Sequence, residues 1–175
     1  MRVAPLLLLL GSIPLWALEI QLPFRQVVAD AESIYLGRVV ATSARWQAGR
    51  GTKAIVTEVE FAVERAYKGP APMRTILRFH GGSIGGVTMD VEGSHRFLPG
   101  QRVVLFVAAD AASPDPLVGG SQGLYLVTVN PRTKAETVRP SFDERAKPVP
   151  LGDFEARITK LIRSVRLQRS ADDRI

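Results

Sequence analysis

Lys53-Ala54-Ile55-Val56-Thr57-Glu58-Val59-Glu60-Phe61-Ala62-Val63-Glu64-Arg65-Ala66-Tyr67-Lys68 alternates along its length. Ile55, Val59, Phe61, Val63 and Tyr67 fall on one face and Glu58, Glu60, Glu64 and Lys68 on the other, the period of two of a half-buried β-strand. Before it lies a second strand-like run, Ile34–Trp46, and the turn between them, Gln47–Thr52, carries Gly49 and Gly51 and fits a hairpin tip. A long, curled two-strand ribbon placed after a short helix narrows the fold sharply. It narrows function much less, because small β architectures host many activities.

Upstream of the ribbon, Pro23–Ala31 predicts a short helix, with Phe24, Val27, Val28 and Ala31 at helical spacing. Gly37 and Ala41 inside the first strand permit tight curvature. Downstream, Gly69-Pro70-Ala71-Pro72 stops the second strand, because proline cannot continue a ladder. Thr75–His80 predicts a third strand, Gly81–Gly86 a loop too glycine-rich for a regular element, and Val87–Val91 a short strand. The unbroken apolar run Val103–Val107 predicts a central strand covered on both faces. Asp110–Gly123 reads as a loop, Leu124–Val129 and Ala135–Arg139 as a hairpin about the turn Asn130–Lys134, and Pro140–Pro150 as a linker. Asp153 is placed to cap a final helix whose apolar stripe is Phe154, Ile158, Leu161, Ile162 and Val165. Helices only at the ends, with strands between short turns, predict an antiparallel barrel of five to six strands.

The first residues read as an export signal. Arg2 supplies a positive start, Leu6–Leu10 an apolar core, and cleavage is expected after Ala17. The alternative, an uncleaved anchor, meets interruptions at Pro5, Gly11, Ser12 and Pro14 in a stretch shorter than the ~20 residues that a spanning helix needs. The expected organisation is a signal over 1–17, one domain over 18–168 and a frayed tail over 169–175. A secreted or periplasmic location follows, with no stable membrane insertion after cleavage. The chain has no cysteine, which excludes disulfides, thiolate metal sites and thiol nucleophiles. The formal charge of +6 is scattered rather than gathered with aromatic residues, which argues against a nucleic-acid partner.

Candidate chemistry is sparse. Gly81-Gly82-Ser83-Ile84-Gly85 and Gly119-Gly120-Ser121-Gln122-Gly123 both match Gly-x-Ser-x-Gly, a pattern that works catalytically where a strand turns sharply into a helix. Here each is followed by a strand-like segment. His80 and His95 are the two histidines, with Asp90 and Glu92 between them, so a two-histidine, one-carboxylate metal site is conceivable, although the spacing matches no metal motif. Gly81–Gly86 lacks the following helix N-terminus or lysine that a phosphate cradle needs. No catalytic residue, cofactor or metal ligand is therefore assigned.

Phe24-Arg25-Gln26-Val27-Val28-Ala29-Asp30-Ala31-Glu32-Ser33-Ile34-Tyr35-Leu36-Gly37-Arg38-Val39-Val40, as a first helix running into a first strand, resembles the netrin-like, tissue-inhibitor-of-metalloproteinases type of OB-fold. So does Val59–Gly69, closing on Tyr67-Lys68-Gly69; Gly86-Val87 and Phe97–Phe106 echo it more weakly. The resemblance covers residues 20–108 and implies an OB-like barrel that binds a protein, with a secreted protease as one candidate partner. Animal members of that family place an N-terminal cysteine on the protease zinc. Without cysteine that mechanism does not transfer, and the amine and carbonyl of Leu18 are the only analogous ligands.

The expectation is an exported, non-enzymatic protein-binding module. Its surface would comprise Leu18 and Glu19 at the mature N-terminus, Trp46 and Arg50 near the ribbon tip, and Ser83 and Ile84 in the glycine loop. The alternatives are a small hydrolase or metal enzyme using Ser83 or His80/His95, and an envelope or carbohydrate-binding module.

Overall fold

The computed structural model describes residues 21–48, 53–70, 72–91, 93–111 and 114–172. The signal, Leu18, Glu19, the ribbon tip with Arg50, and Glu92 lie outside these. A seven-residue helix α1 (Phe24–Asp30) follows Pro23, whose fixed φ suits a helix start. It leads into the ribbon of β1 (Ser33–Ala48) and β2 (Lys53–Lys68). Their antiparallel register slips between Leu36 and Gly37 and between Val39 and Ala41, beside the small residues that allow the ribbon to curl.

After β3 (Arg74–His80), a long connection carries the hairpin β4 (Gly82–Ile84) and β5 (Val87–Met89). The chain returns as β6 (Arg102–Val107), β7 (Leu124–Val129), β8 (Glu136–Pro140) and the two-residue β9 (Val149–Pro150). The main sheet has seven strands in the order β3-β2-β1-β6-β7-β8-β9, and β4 pairs with β5 in a sheet of two. Within the large sheet, β6-β1-β2-β3 is a Greek key: three hairpin-linked strands and a fourth returning beside the first.

The architecture is mainly β and antiparallel with a helix at each end, as the sequence predicts, but the expected barrel of five to six strands is not closed. β7 pairs with β8, so β3 is left as an edge. Among the described residues, the segment that reaches β3 does so through one backbone bond, His80 N–H to the Pro114 carbonyl at 3.2 Å. Neither Pro114 nor Pro116 has an N–H with which to continue that pairing. Gly81–Gly86 is also more regular than its composition suggests. Gly85 and Gly86 both have positive φ, 55° and 83°, which makes them the two central residues of a tight hairpin turn.

β6 shows why the sheet is stable. Val104 and Phe106 enter one core with Ile34, Leu36, Val27, Val28, Phe154 and Ile158, beneath both helices. Val103, Leu105 and Val107 enter a second core on the opposite face with Tyr35, Val39, Phe61, Leu77, Phe97 and Leu117. The C-terminal helix α2 (Leu151–Asp172) begins two residues before Asp153, which lies in its first turn, not at its cap. There its carboxylate favours the positive end of the helix. Tyr67 O–H donates to Glu155 Oε1 at 2.5 Å and Arg65 meets Oε2 at 2.7 Å, tying α2 to β2. The outer-face glutamates are paired: Glu58 with Arg45 and Arg78, Glu60 with Arg74, and Glu64 with Arg38 and Arg102. No helix among the described residues is long and apolar enough to cross a membrane.

Candidate functional site

β3 ends at His80, and the chain turns through Gly81 and Gly82 into the β4–β5 hairpin. A Cβ on Gly82 would stand 2.3 Å from Thr57 Oγ1, and one on Gly81 2.8 Å from the Met89 carbonyl oxygen. Close approach therefore requires glycine at both positions. Thr57 Oγ1 donates to the Gly81 carbonyl at 2.7 Å, and Ile55 N–H reaches the Met89 sulfur at 3.3 Å. The hairpin is thus folded down onto the ribbon.

Between the hairpin, residues 93–98 and Phe79 lies a cleft of about 370 Å³, with Thr42, Ala44 and Phe97 in its walls. At His80 and His95 it meets a second cleft of about 210 Å³, walled by Pro114, Leu117 and Leu124. The structure thereby gathers His80, Ser83, Asp90 and His95, which the sequence singles out, around one recess. Two of the four are paired within the chain. Ser83 Oγ is 2.9 Å from Thr88 Oγ1 across the hairpin, and Asp90 pairs with Arg96 at 2.6 Å. Among the described residues no group of three histidines or carboxylates could hold a metal ion.

His95 is half-buried, its ring set edge-on to Phe97 with centroids 4.9 Å apart. Leu98 N–H donates to Gln101 Oε1 at 3.2 Å, which turns the Gln101 amide nitrogen toward His95 Nε2 at 3.0 Å. Burial pushes the imidazole below its ordinary value, and the Arg139 charge acts in the same direction. A Gln101 carbonyl accepting from the ring would act the other way. The orientation fixed by Leu98 instead favours the neutral ring as acceptor.

The second Gly-x-Ser-x-Gly also has a packing explanation. Gly119 has φ +61°, and a Cβ there would stand 2.9 Å from Leu22 Cδ1; on Gly123 it would meet the Val118 oxygen at 2.8 Å and the Phe106 oxygen at 3.0 Å. Gly120–Gly123 is a 3-10 turn running into β7, and the Ser121 carbonyl accepts from Ser141 Oγ at 3.0 Å. Buried Gln122 takes the Leu22 N–H on its Oε1 at 2.7 Å, anchoring the N-terminal segment. Neither serine sits on a strand-to-helix elbow.

The other residues expected to bind a partner are dispersed. Trp46 is exposed on the ribbon opposite Ile55, and Ile84 is half-buried in the hairpin. Gln21, the first described residue, lines a separate recess with Gln122, Phe142 and Asp143. The cleft walls Phe79, Phe97 and Leu117 were not legible as site residues, because an apolar residue beside a strand reads as core. No protein-family model matches the chain, and neither the curated proteins nor the solved structures contain a significant match.

Proposed function

We propose that this chain is an exported, non-enzymatic protein-binding module on a partly open OB-like scaffold of the netrin-like type, with the twin cleft at His80 and His95 as the centre of its binding surface. One observation carries this reading: the recess is walled by Phe79, Phe97, Leu117 and Val91, while Ser83, Asp90 and His95 beside it are held by partners within the chain. A shaped recess that combines apolar walls with fixed polar groups suits recognition. The Greek-key order supports the OB-like reading, in which β6 and β7 stand as fourth and fifth strands. Ser83 lines the hairpin side of the cleft, and Ile84 and Trp46, outside its lining, would be outlying contacts of the same surface. Leu18, Glu19 and Arg50 remain part of the proposal on sequence grounds. A secreted protease is the proposed partner because the family resemblance implies one.

The test is titration of the chain from Leu18 onward against secreted zinc and serine endopeptidases, following peptide hydrolysis and integrity of the chain. Stoichiometric loss of protease activity, weakened by Ile84→Asp, is expected. Fluorophosphonate labelling that disappears in Ser83→Ala, or stoichiometric zinc that disappears in His80→Ala, would replace the reading with the hydrolase or metal-enzyme alternative.

A further inference from the structure

We propose that the outer edge of β3 is a strand-addition site for an extended, acid-bearing segment of the partner protein; this rests on the binding-module reading and specifies its mode. β3 is hydrogen-bonded to β2 alone among the strands. The Met73 carbonyl accepts from Val63 N–H on the β2 side, whereas His80 N–H donates outward to Pro114. Backbone groups alternate along an antiparallel strand. Arg74, Ile76 and Arg78 therefore turn their N–H and C=O groups away from β2, and among the described residues none has a partner there. The bond from His80 to Pro114 shows that this edge accepts a backbone partner, and it marks where the open stretch ends, at the mouth of the cleft.

β3 contains neither a proline nor a register slip against β2, so of the usual protections of an edge it relies on charge, from Arg74 and Arg78. The side chains beside the open edge are Arg74, Ile76 and Arg78. Ile76 is 61% exposed. Each arginine meets a β2 glutamate, Glu60 at 2.6 Å and Glu58 at 2.9 Å, yet the Arg74 and Arg78 side chains stay 64% and 42% exposed.

Charge selects the occupant. A second copy pairing antiparallel about Ile76, the register that uses the whole open edge, would set Arg74 opposite Arg78 twice, and like charges directly opposite destabilise a strand pair. A partner strand with acids facing Arg74 and Arg78 and an apolar residue facing Ile76 complements all three. Main-chain bonds would supply affinity and the side-chain pattern specificity, as in other strand-addition complexes. Beyond His80 the added segment would run into the twin cleft.

The experiment uses the full exported chain and three fluorescein-labelled, acetylated octapeptides: a Glu–Val peptide with the core Glu-Thr-Val-Thr-Glu, which sets two acids and the valine between them on one face, a Lys–Val peptide with Lys for each Glu, and the Glu–Val peptide N-methylated at its Glu and Val residues. Fluorescence anisotropy is expected to show binding of the Glu–Val peptide, with at least about tenfold weaker binding of both other peptides, about 1.4 kcal/mol. Ile76→Pro removes an outward N–H without touching the ladder to β2, and should weaken the Glu–Val peptide about tenfold or more with unchanged circular dichroism. Arg74→Gln with Arg78→Gln should erase the preference for Glu over Lys. If Ile76→Pro fails to fold, the N-methylated peptide on the natural chain decides. Equal binding of all three peptides, or dimerisation of the free chain through β3, overturns the proposal. Undiminished protease inhibition by folded Ile76→Pro removes this mode alone, whereas serine labelling or bound zinc removes the module reading itself.

Discussion

Gly69 has φ +77°, and a Cβ there would stand 2.6 Å from Ser33 Oγ and 2.7 Å from the Glu32 carbonyl oxygen. Beside it, Lys68 Nζ donates to the Val28 and Ala29 carbonyls at 3.1 and 3.0 Å, at the C-terminal end of α1. Lys68-Gly69 therefore joins the end of β2 to the helix-to-strand corner, which gives the sequence signature a physical role. Gly69→Ala should cost on the order of 2 kcal/mol through backbone strain and the clash, read as a lower urea midpoint; an unchanged midpoint would contradict it. His95 carries a pH prediction. Its folded pKa lies below the ordinary 6.5, so the folded chain binds fewer protons than the unfolded one as pH falls past that value. The contribution is fully present above 6.5 and is lost as pH falls through 6.5 toward the lower folded value. Between about pH 8 and pH 5, the natural chain should lose more stability than His95→Gln, which lacks that titration. Equal losses in parallel urea titrations would contradict the assignment.

Phe106 is fully buried in β6, with ring centroids of Phe24 at 5.6 Å and Tyr125 at 5.5 Å. Phe106→Ala opens a cavity where both helices meet the sheet and should cost about 3–5 kcal/mol in chemical denaturation. Leu167→Ala, on a residue 72% exposed near the end of α2, should stay within about 0.5 kcal/mol of the natural chain. These elements were legible because their residues obey simple periods: Ile55, Val59 and Phe61 every second residue, Val103–Val107 apolar throughout, Phe154 and Ile158 one helical turn apart. Of the hairpin at Gly82–Met89 only the second strand was, as the short strand expected at Val87–Val91. Four glycines in six residues remove the side-chain pattern on which strand recognition depends, and the hairpin is set instead by positive φ and by contacts with Thr57 and Ile55. The candidate site was half legible for a related reason. His80, Ser83, Asp90 and His95 were visible as chemistry, but their gathering depends on how residues 93–98 fold back across β3. The open sheet was likewise a tertiary outcome: β7 pairs with β8, and among the described residues the segment at Pro114 meets β3 only at His80.

Across the whole molecule, cover on the sheet is uneven, and stability should follow that cover. Ser33–Arg38 pairs with Arg102–Val107 between two cores, one under the helices and one on the opposite face. Farther along β1, Thr42, Ser43, Arg45 and Trp46 are exposed, and this part of the ribbon rests on the β4–β5 hairpin, not on a core cluster. Amides open with free energies ranging from near zero at lightly packed segments up to the global value in doubly covered strands. Native-state hydrogen exchange should therefore protect Ile34–Leu36 and Val103–Phe106 most. The amides of Thr42–Ala48 should exchange at least about 100-fold faster, because sub-global opening can release the ribbon while the sheet centre stays closed. Uniform protection along β1 would show instead that ribbon and centre open as one unit. The amides of Ile76 and Arg78 point away from the ladder and should exchange among the fastest in any strand of the free chain. On addition of the Glu–Val peptide they should slow together, while Thr75 and Leu77, already bonded to β2, change little. Slowing of all four alike would mean general stabilisation rather than a strand added along the outer edge of β3.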